Sequence, residues 1–205
     1  KINNENKLAS IYNNLSLLYN NFGDYNKSLE YGKKSLAIYQ KMKSVNGICS
    51  AYGNLGNTYM GLNNLDEALV NFIKNNELAK EAENPYEECT SSMDIGEIYF
   101  KRKQYNLAIP YYLKAEKIAE EIEDYTDLRN VYLNLYNIYK QTNDIKKALE
   151  NYEKYVYVFE KLNETNSKEE LHKKEVEFEF NRRAVRDSIK NAEANVIKDE
   201  KINAW

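Results

Sequence analysis

Side chains of the types that carry out chemistry are few in this 205-residue sequence. His172 is its single histidine, and without a second histidine or a close cysteine it completes neither a metal site nor a catalytic pair. Cys49 and Cys89 are predicted to be small buried residues without a disulfide, because they occupy equivalent places on different helices. No glycine-rich phosphate loop followed by Lys and Ser or Thr is present. We therefore predict no catalytic residue, no metal site and no cofactor.

The composition excludes two classes of partner. Hydrophobic residues make up 42% of the chain and charged residues 30%, with a formal net charge of −3. A nucleic-acid-binding domain would carry a clear basic excess, so nucleic acid is not expected. No run of about eighteen apolar residues occurs, so no membrane insertion is expected within this chain. The sequence starts without an initiator methionine or a signal-peptide pattern, and we expect it to be part of a longer protein.

The elements that must position any binding residue repeat at a constant interval of 40 residues. An aliphatic residue and a tyrosine recur at Leu15 and Tyr19, Leu55 and Tyr59, Ile95 and Tyr99, and Leu135 and Tyr139. A small residue followed by an aliphatic one recurs at Ser28 and Leu29, Ala68 and Leu69, Ala108 and Ile109, and Ala148 and Leu149. Within each copy the apolar residues follow three- and four-residue steps, which predicts two amphipathic helices per repeat.

Each repeat contains a short break between its two helices. The breaks are Gly23-Asp24, Asn63-Asn64, Lys103-Gln104 and Asn143-Asp144. The first residue of a break suits a left-handed helix cap, and the second accepts hydrogen bonds from the start of the next helix. Because Lys103-Gln104 departs from this chemistry, we expect the third break to be less well defined. Pro85 is expected in the first turn of a helix, and Pro110 removes one hydrogen bond inside another.

This pattern resembles the tetratricopeptide repeat in a 40-residue form. The resemblance rests on Asn54-Leu55-Gly56 with Tyr59, on the turn Gly23-Asp24-Tyr25, and on the Ala-Leu pairs. It implies an all-α fold, a right-handed α-α superhelix or solenoid of four helix-turn-helix repeats. The repeats are predicted at 4–43, 44–83, 84–123 and 124–163, so the array covers 4–163. Gly32 lacks the ring found at Phe72, Tyr112 and Tyr152, and we expect looser packing there.

The resemblance also implies a concave groove lined by the first helix of each repeat, where a protein or peptide ligand binds. By helical phase the candidate groove residues are Asn13, Leu17, Asn20, Asn57, Met60, Met93, Glu97, Phe100, Asn137 and Lys140, with Gly53 and Leu133 at the same phase. A second row, one residue further round, consists of Asn14, Asn54, Asp94 and Asn134.

Two interpretations of the second row remain open. Asparagine carries both a donor and an acceptor, so the row could pair with the backbone of an extended peptide. Alternatively, these side chains hold adjacent helices together. Some tetratricopeptide domains clamp the terminal carboxylate of a partner with Lys and Arg, but Lys140 is a lone base among these positions. We therefore expect no binding of acidic chaperone tails.

The 40-residue pattern stops before a predicted C-terminal helix at 166–205. Its apolar residues follow coiled-coil steps at Leu171, Phe178, Val185, Ile189, Ala192 and Val196. The helix is expected to cap the last repeat, to form a homodimer, or both. Residues 178–193 are similar to the linkers of bacterial membrane sensors, in which a tetratricopeptide array precedes a membrane helix and a histidine kinase or nucleotide cyclase.

The leading interpretation is therefore a protein- or peptide-binding module that forms the input region of a bacterial signal-transduction protein. It would then lie on the periplasmic side of the inner membrane. One alternative is a free-standing cytoplasmic adaptor that scaffolds a complex. Another is a peptide-responsive regulator of an enzyme or transcription factor. Catalysis by this chain itself is not expected, because the sequence offers no candidate catalytic residue.

Overall fold

The computed structural model describes residues 2–163, with side chains from residue 4 onward. All regular structure in this part of the chain is helical, which confirms the predicted all-α class. The helices are α1 (Ile2–Asn21), α2 (Tyr25–Met42), α3 (Val45–Gly61), α4 (Leu65–Glu81), α5 (Pro85–Lys101), α6 (Tyr105–Glu121), α7 (Tyr125–Gln141) and α8 (Ile145–Asn163). The chain divides into two compact units, Lys1–Glu123 with α1–α6 and Asp124–Trp205 with α7 and α8.

A left-handed residue follows the first helix of each pair, as predicted. The φ angles are 76° at Gly23, 57° at Asn63, 57° at Lys103 and 60° at Asn143. Asp24, Asn64 and Asp144 then each accept a hydrogen bond of 3.2 Å from the backbone N–H three residues later. The side chain of Gln104 makes no such bond. The third turn therefore keeps the backbone shape of the others and lacks only their side-chain cap.

Turns of the same kind join one helix pair to the next. Their left-handed residues are Lys43, Glu83 and Glu123, with φ angles of 53°, 50° and 55°. Asn84 and Asp124 cap the helices that follow, each through its side-chain oxygen. Pro85 is the first residue of α5, as predicted, because a helix start has a backbone N–H to spare. Helix α6 continues through Pro110 to Glu121 without a break.

Glycines allow the two helices of the middle pairs to approach closely. Phe72 of α4 is fully buried against Gly56 of α3, and Tyr112 of α6 packs in the same way against Gly96 of α5. Burying a ring of this size stabilises a fold by about 1.5–3 kcal/mol. The ring and the glycine therefore form one packing unit that repeats along the first compact unit.

The first pair of helices packs differently at this position. The prediction of looser packing at Gly32 is wrong. A Cβ at Gly32 would lie 2.8 Å from Cδ2 of Leu55 and 2.9 Å from Oγ of Ser16. Leu55 from the next pair thus occupies the space that a ring fills elsewhere. Ser28 completes this layer, since its hydroxyl bonds to the Ser16 carbonyl at 2.8 Å and lies 2.7 Å from the Thr58 hydroxyl.

The junction between α4 and α5 is polar. The side-chain nitrogen of Asn76 donates to Ser91 Oγ at 2.8 Å and to Ser92 Oγ at 2.9 Å. Its oxygen accepts a bond of 2.9 Å from Lys114, which also pairs with Glu88 at 2.8 Å. At the junction between α2 and α3 the equivalent residues are apolar, namely Leu36, Ile48, Ala51 and Tyr52. The two junctions of this unit therefore differ in chemistry.

In the second compact unit, α7 and α8 pack through aliphatic and aromatic residues. The buried residues of α7 include Leu128, Val131, Leu135 and Ile138. Tyr136 stands where the middle pairs have glycine, and its ring lies 5.1 Å from that of Tyr152. Two adjacent rings thus replace the ring-on-glycine contact of the first unit.

The predictions for residues 166–205 lie outside the described residues. They comprise the capping or coiled-coil helix, the homodimer through it, and the role of His172. No helix in the described part of the chain is long and apolar enough to cross a membrane.

Candidate functional site

The predicted groove residues lie on the first helices of the pairs, and none of them is buried. Exposed positions are Asn14, Leu17, Asn57 and Lys140. Half-buried positions are Asn13, Asn20, Asn54, Met60, Met93, Asp94, Glu97, Phe100, Asn134 and Asn137. These side chains are therefore placed where a partner could reach them, and their role in binding stays a prediction.

Asparagines of α1 and α3 form hydrogen bonds with each other. The side-chain nitrogen of Asn54 donates to the side-chain oxygen of Asn13 at 2.9 Å and to its carbonyl at 3.3 Å. Asn13 in turn donates to the hydroxyl of Ser50 at 2.9 Å. These bonds favour the interpretation in which the amides hold adjacent helices. Asn13 still has one N–H and one lone pair beyond these contacts, and the side-chain oxygen of Asn54 accepts none of them, so a role in binding is compatible with these bonds.

Other candidate groove residues of the first unit are partly engaged in its interior packing. Met60 packs against the buried cluster that contains Phe72 and Ile98. The side-chain oxygen of Asn20 is buried and finds no hydrogen-bond partner in the described part of the chain. Asn57 and Leu17 are exposed. The candidate groove positions of α1 and α3 thus carry no charge and include several amides.

Helix α5 presents a different surface. Asp94 and Glu97 are half-buried beside Met93, and Glu97 pairs with Lys101 one turn later at 3.3 Å. The ring of Phe100 lies 5.7 Å from that of Tyr105 on α6. Two carboxylates therefore occupy positions at which α3 carries Asn54 and Asn57.

The candidates of the second unit are three residues of α7. Asn134 donates to the carbonyl of Asn130 within its own helix at 2.9 Å. Asn137 is half-buried, and the ammonium group of Lys140 lies 5.6 Å from the centre of the Tyr136 ring. This contact is a cation–π interaction.

Repeated contacts between a lysine and a tyrosine were not predicted from the sequence. Lys74 lies over Tyr52 at 5.5 Å and Lys154 lies over Tyr132 at 5.0 Å. In both cases the lysine follows the tyrosine by the same interval, as Lys34 follows Tyr12, where the distance is 5.7 Å. That constant interval was visible in the sequence. Repeat three has Ser92 in place of the tyrosine. There Lys114 donates a hydrogen bond to Asn76 and pairs with Glu88.

An exposed apolar face formed by α1 and the residue that follows it was also not predicted. Leu8, Ile11, Leu18 and Phe22 are 42%, 54%, 47% and 77% exposed. Their spacing by threes, fours and sevens was the signal. At the equivalent places in α7, Leu128, Val131 and Ile138 are buried.

The described residues give little indication of a metal site or a reactive cysteine. No group of three or more His, Cys, Asp or Glu side chains within them could hold a metal ion. Both cysteines are buried, as predicted, and the thiol of Cys89 donates to the carbonyl of Ala115 at 3.5 Å. Burial, and then the charge of Glu87, raise the pKa of Cys49 to about 11, so its thiol stays protonated at neutral pH.

Comparison with known proteins defines the family. One tetratricopeptide repeat model matches residues 8–42 and 48–85, and a second matches residues 86–161. Together they cover most of the chain, which therefore belongs to the tetratricopeptide repeat proteins. No curated protein matches the sequence.

Solved structures share the fold. Aspartyl phosphate phosphatase F from Bacillus subtilis is 21% identical with a TM-score of 0.75, over 78% of this chain and 42% of that one. A Rap protein complexed with competence and sporulation factor is 18% identical with a TM-score of 0.72, over 78% and 45%. The Signal Transduction ATPase with Numerous Domains from Pyrococcus horikoshii, which has a tetratricopeptide repeat sensor, is 26% identical with a TM-score of 0.69, over 76% and 24%.

This chain thus spans less than half the length of these three proteins. The fold and the family define a protein-interaction module.

Proposed function

We propose that this chain is the ligand-binding input region of a bacterial signal-transduction protein, and that its ligand is an extended peptide or protein segment. Within the first compact unit, the first helices of the repeats at 4–43 and 44–83 would contact the ligand. The observation that carries the proposal is the set of uncharged, amide-rich candidate groove positions on α1 and α3, where Asn14 and Asn57 are exposed. Amides of this kind pair with a peptide backbone whatever its side chains.

Two structural relatives support this assignment. One is a Rap protein solved in complex with competence and sporulation factor, and the other carries a tetratricopeptide repeat sensor in a signal-transduction ATPase. The Rap likeness also favours a second candidate, a regulator that responds to a bound factor and acts on a separate protein. The sequence of the complete gene separates the two. A hydrophobic span and a kinase or cyclase domain beyond Trp205 support the input region, and their absence contradicts it.

Peptide binding is tested by selection from a library of short random peptides displayed on phage, with the full chain immobilised. We expect a recurrent family of sequences that binds the chain in solution by fluorescence polarisation. Replacing Asn14 and Asn57 with alanine should weaken this binding about tenfold or more, because each lost hydrogen bond contributes about 1 kcal/mol.

The matched control replaces Asn26 and Asn106, exposed asparagines of α2 and α6, with alanine. This control should bind as the unaltered chain does. If no peptide is enriched over the bare support, the extended-peptide ligand is excluded. Equal losses in both variants would exclude the assigned surface.

A further inference from the structure

One candidate groove position on α3 has no side chain, namely Gly53. The equivalent residues of the other repeats, Asn13, Met93 and Leu133, all carry one. Gly53 is half-buried. In the described part of the chain, the one atom outside α3 that a Cβ there would meet within 4 Å is Nδ2 of Asn75, at 3.4 Å. A ligand group that packs against the bare backbone at Gly53 therefore lies beside the amide of Asn75.

The amide of Asn75 has unused hydrogen-bonding capacity. The residue is only 2% exposed, and its side-chain oxygen finds no hydrogen-bond partner within residues 4–163. Its nitrogen donates one bond, of 3.3 Å, to a carboxylate oxygen of Glu87 on α5. Because an ionised carboxylate only accepts hydrogen bonds, this contact fixes which end of the amide is the nitrogen. One N–H and the side-chain oxygen are left for another partner.

The fold does not require an amide at this position. Ser35 takes the equivalent place on α2 and donates to the carbonyl of Ala9 at 2.9 Å. Ala115 takes it on α6 and has no polar side-chain atom, and all three residues are buried. A buried polar atom without a partner is unfavourable, so packing alone does not account for Asn75. Its unpaired oxygen indicates a partner from outside the described residues.

A primary amide is the group that matches both free ends of the Asn75 amide. It carries an N–H and a C=O on the same edge, so two primary amides join through a pair of hydrogen bonds. A trans peptide bond directs its N–H and C=O to opposite sides and satisfies only one end. A carboxylate offers acceptors only, and the charge of Glu87 beside the amide repels it. Asn and Gln are the protein side chains that contain a primary amide.

We propose that Gly53 and Asn75 form a subsite of the peptide-binding surface that receives an Asn or Gln side chain of the ligand. The gap at Gly53 admits this side chain, and Asn75 accepts one hydrogen bond from its amide and donates another to it. Glu87 holds the Asn75 amide in the required orientation. This inference rests on the proposed peptide-binding function and specifies one residue of the ligand.

The test starts from the random-peptide selection on the full chain, and the selected peptides should share an Asn or Gln at one position. Replacing that peptide residue with alanine should weaken binding to the unaltered chain about tenfold to a hundredfold, because two hydrogen bonds are lost. The same replacement should have little further effect on binding to the N75A variant, where the partner of the ligand amide is absent. Alanine fits at position 75, since Ala115 occupies the equivalent place.

A second variant, G53A, closes the gap and leaves the Asn75 side chain in place. It should be at least as stable as the unaltered chain, because alanine has the higher helix propensity. It should nevertheless bind the selected peptide about tenfold less tightly, because the added methyl group displaces the ligand amide. The matched control N46A changes an exposed residue of the same helix outside the candidate groove positions and should keep the affinity. A purely structural role of Gly53 would not lower the affinity while stability is kept.

Three results overturn this inference and leave peptide binding intact. They are selected peptides without a recurrent Asn or Gln, an equal loss on replacement of that residue in the unaltered chain and in N75A, and unchanged affinity in G53A. Failure to select any peptide overturns both proposals.

Discussion

Phe72 occupies the space that a side chain at Gly56 would need, with its Cε1 atom 2.5 Å from the position of a Cβ there. The contact joins the two helices of the second pair inside a buried cluster that also contains Ala68, Ile95 and Ile98. Phe72 is fully buried, so its ring has little freedom to move aside. The size of the residue at position 56 therefore controls the stability of this pair.

We predict opposite effects of alanine at two glycines of α3. Gly56→Ala should destabilise the chain by about 1–3 kcal/mol, because overpacking against the ring outweighs the gain in helix propensity. Gly53→Ala should stabilise it by up to about 1 kcal/mol, since the nearest atom to its Cβ would be Asn75 Nδ2 at an ordinary 3.4 Å. Urea unfolding followed by circular dichroism measures both. Equal changes of the same sign would show that close packing does not set the difference.

The sequence predicted the helix pairs because the signals repeat in a fixed register. The breaks at Gly23 and Asn63 predict left-handed turns, and both residues have a positive φ angle in the structure. Lys43 and Glu123 adopt the same conformation without any favourable residue type. Tertiary packing imposes the left-handed conformation on these two residues. Their residue types do not indicate it, so only the 40-residue register shows where those turns lie.

Contacts between neighbouring pairs were harder to predict. Leu55 reaches Gly32 from the following pair, which no pattern within a single repeat reveals. The bond from Asn54 to Asn13 likewise depends on how two first helices approach each other. The candidate surface was therefore predictable as a set of positions. Whether its amides face a ligand or each other depends on distances that the sequence does not contain.

The polar junction between α4 and α5 should respond to replacement in a non-additive way. Asn76→Leu alone leaves Ser91, Ser92 and Lys114 without their shared amide, and it should destabilise the chain by about 1–3 kcal/mol. Replacing the whole set to match the first junction, as N76L/E88I/S91A/S92Y, should be neutral or stabilising by about 1–4 kcal/mol. Thermal and urea unfolding report both values. A quadruple variant less stable than N76L would contradict the argument.

Asn13 and Asn54 should be energetically coupled. In a double-mutant cycle with alanine, the coupling free energy should be about 0.5–1.5 kcal/mol, because their side-chain bond of 2.9 Å is lost in either single variant. Asn14, which is exposed one residue further along α1, supplies the control cycle with Asn54. That cycle should give additive changes in unfolding free energy. Additivity in the Asn13 cycle as well would mean that the bond contributes nothing in solution.

The caps at Asp24 and Asp144 should make stability sensitive to acid. The Lys27 side chain and backbone N–H lower the pKa of Asp24, and the backbone N–H and side chain of Lys147 lower that of Asp144. A carboxyl whose pKa is lower in the folded than in the unfolded state stabilises the fold above its unfolded pKa, about 4. That contribution disappears as the pH falls through the folded pKa.

The D24N/D144N variant keeps a side-chain oxygen at each cap but cannot titrate there. Its fall in melting temperature between neutral and strongly acidic pH should be smaller than that of the unaltered chain, because two acid-sensitive contributions are gone. A transplant supplies the converse test. Asn64 caps α4 without a charge, and N64D/E67K reproduces the Asp24–Lys27 arrangement there, so this variant should lose more stability on acidification. Identical acid dependence in all three proteins would show that the caps do not control it.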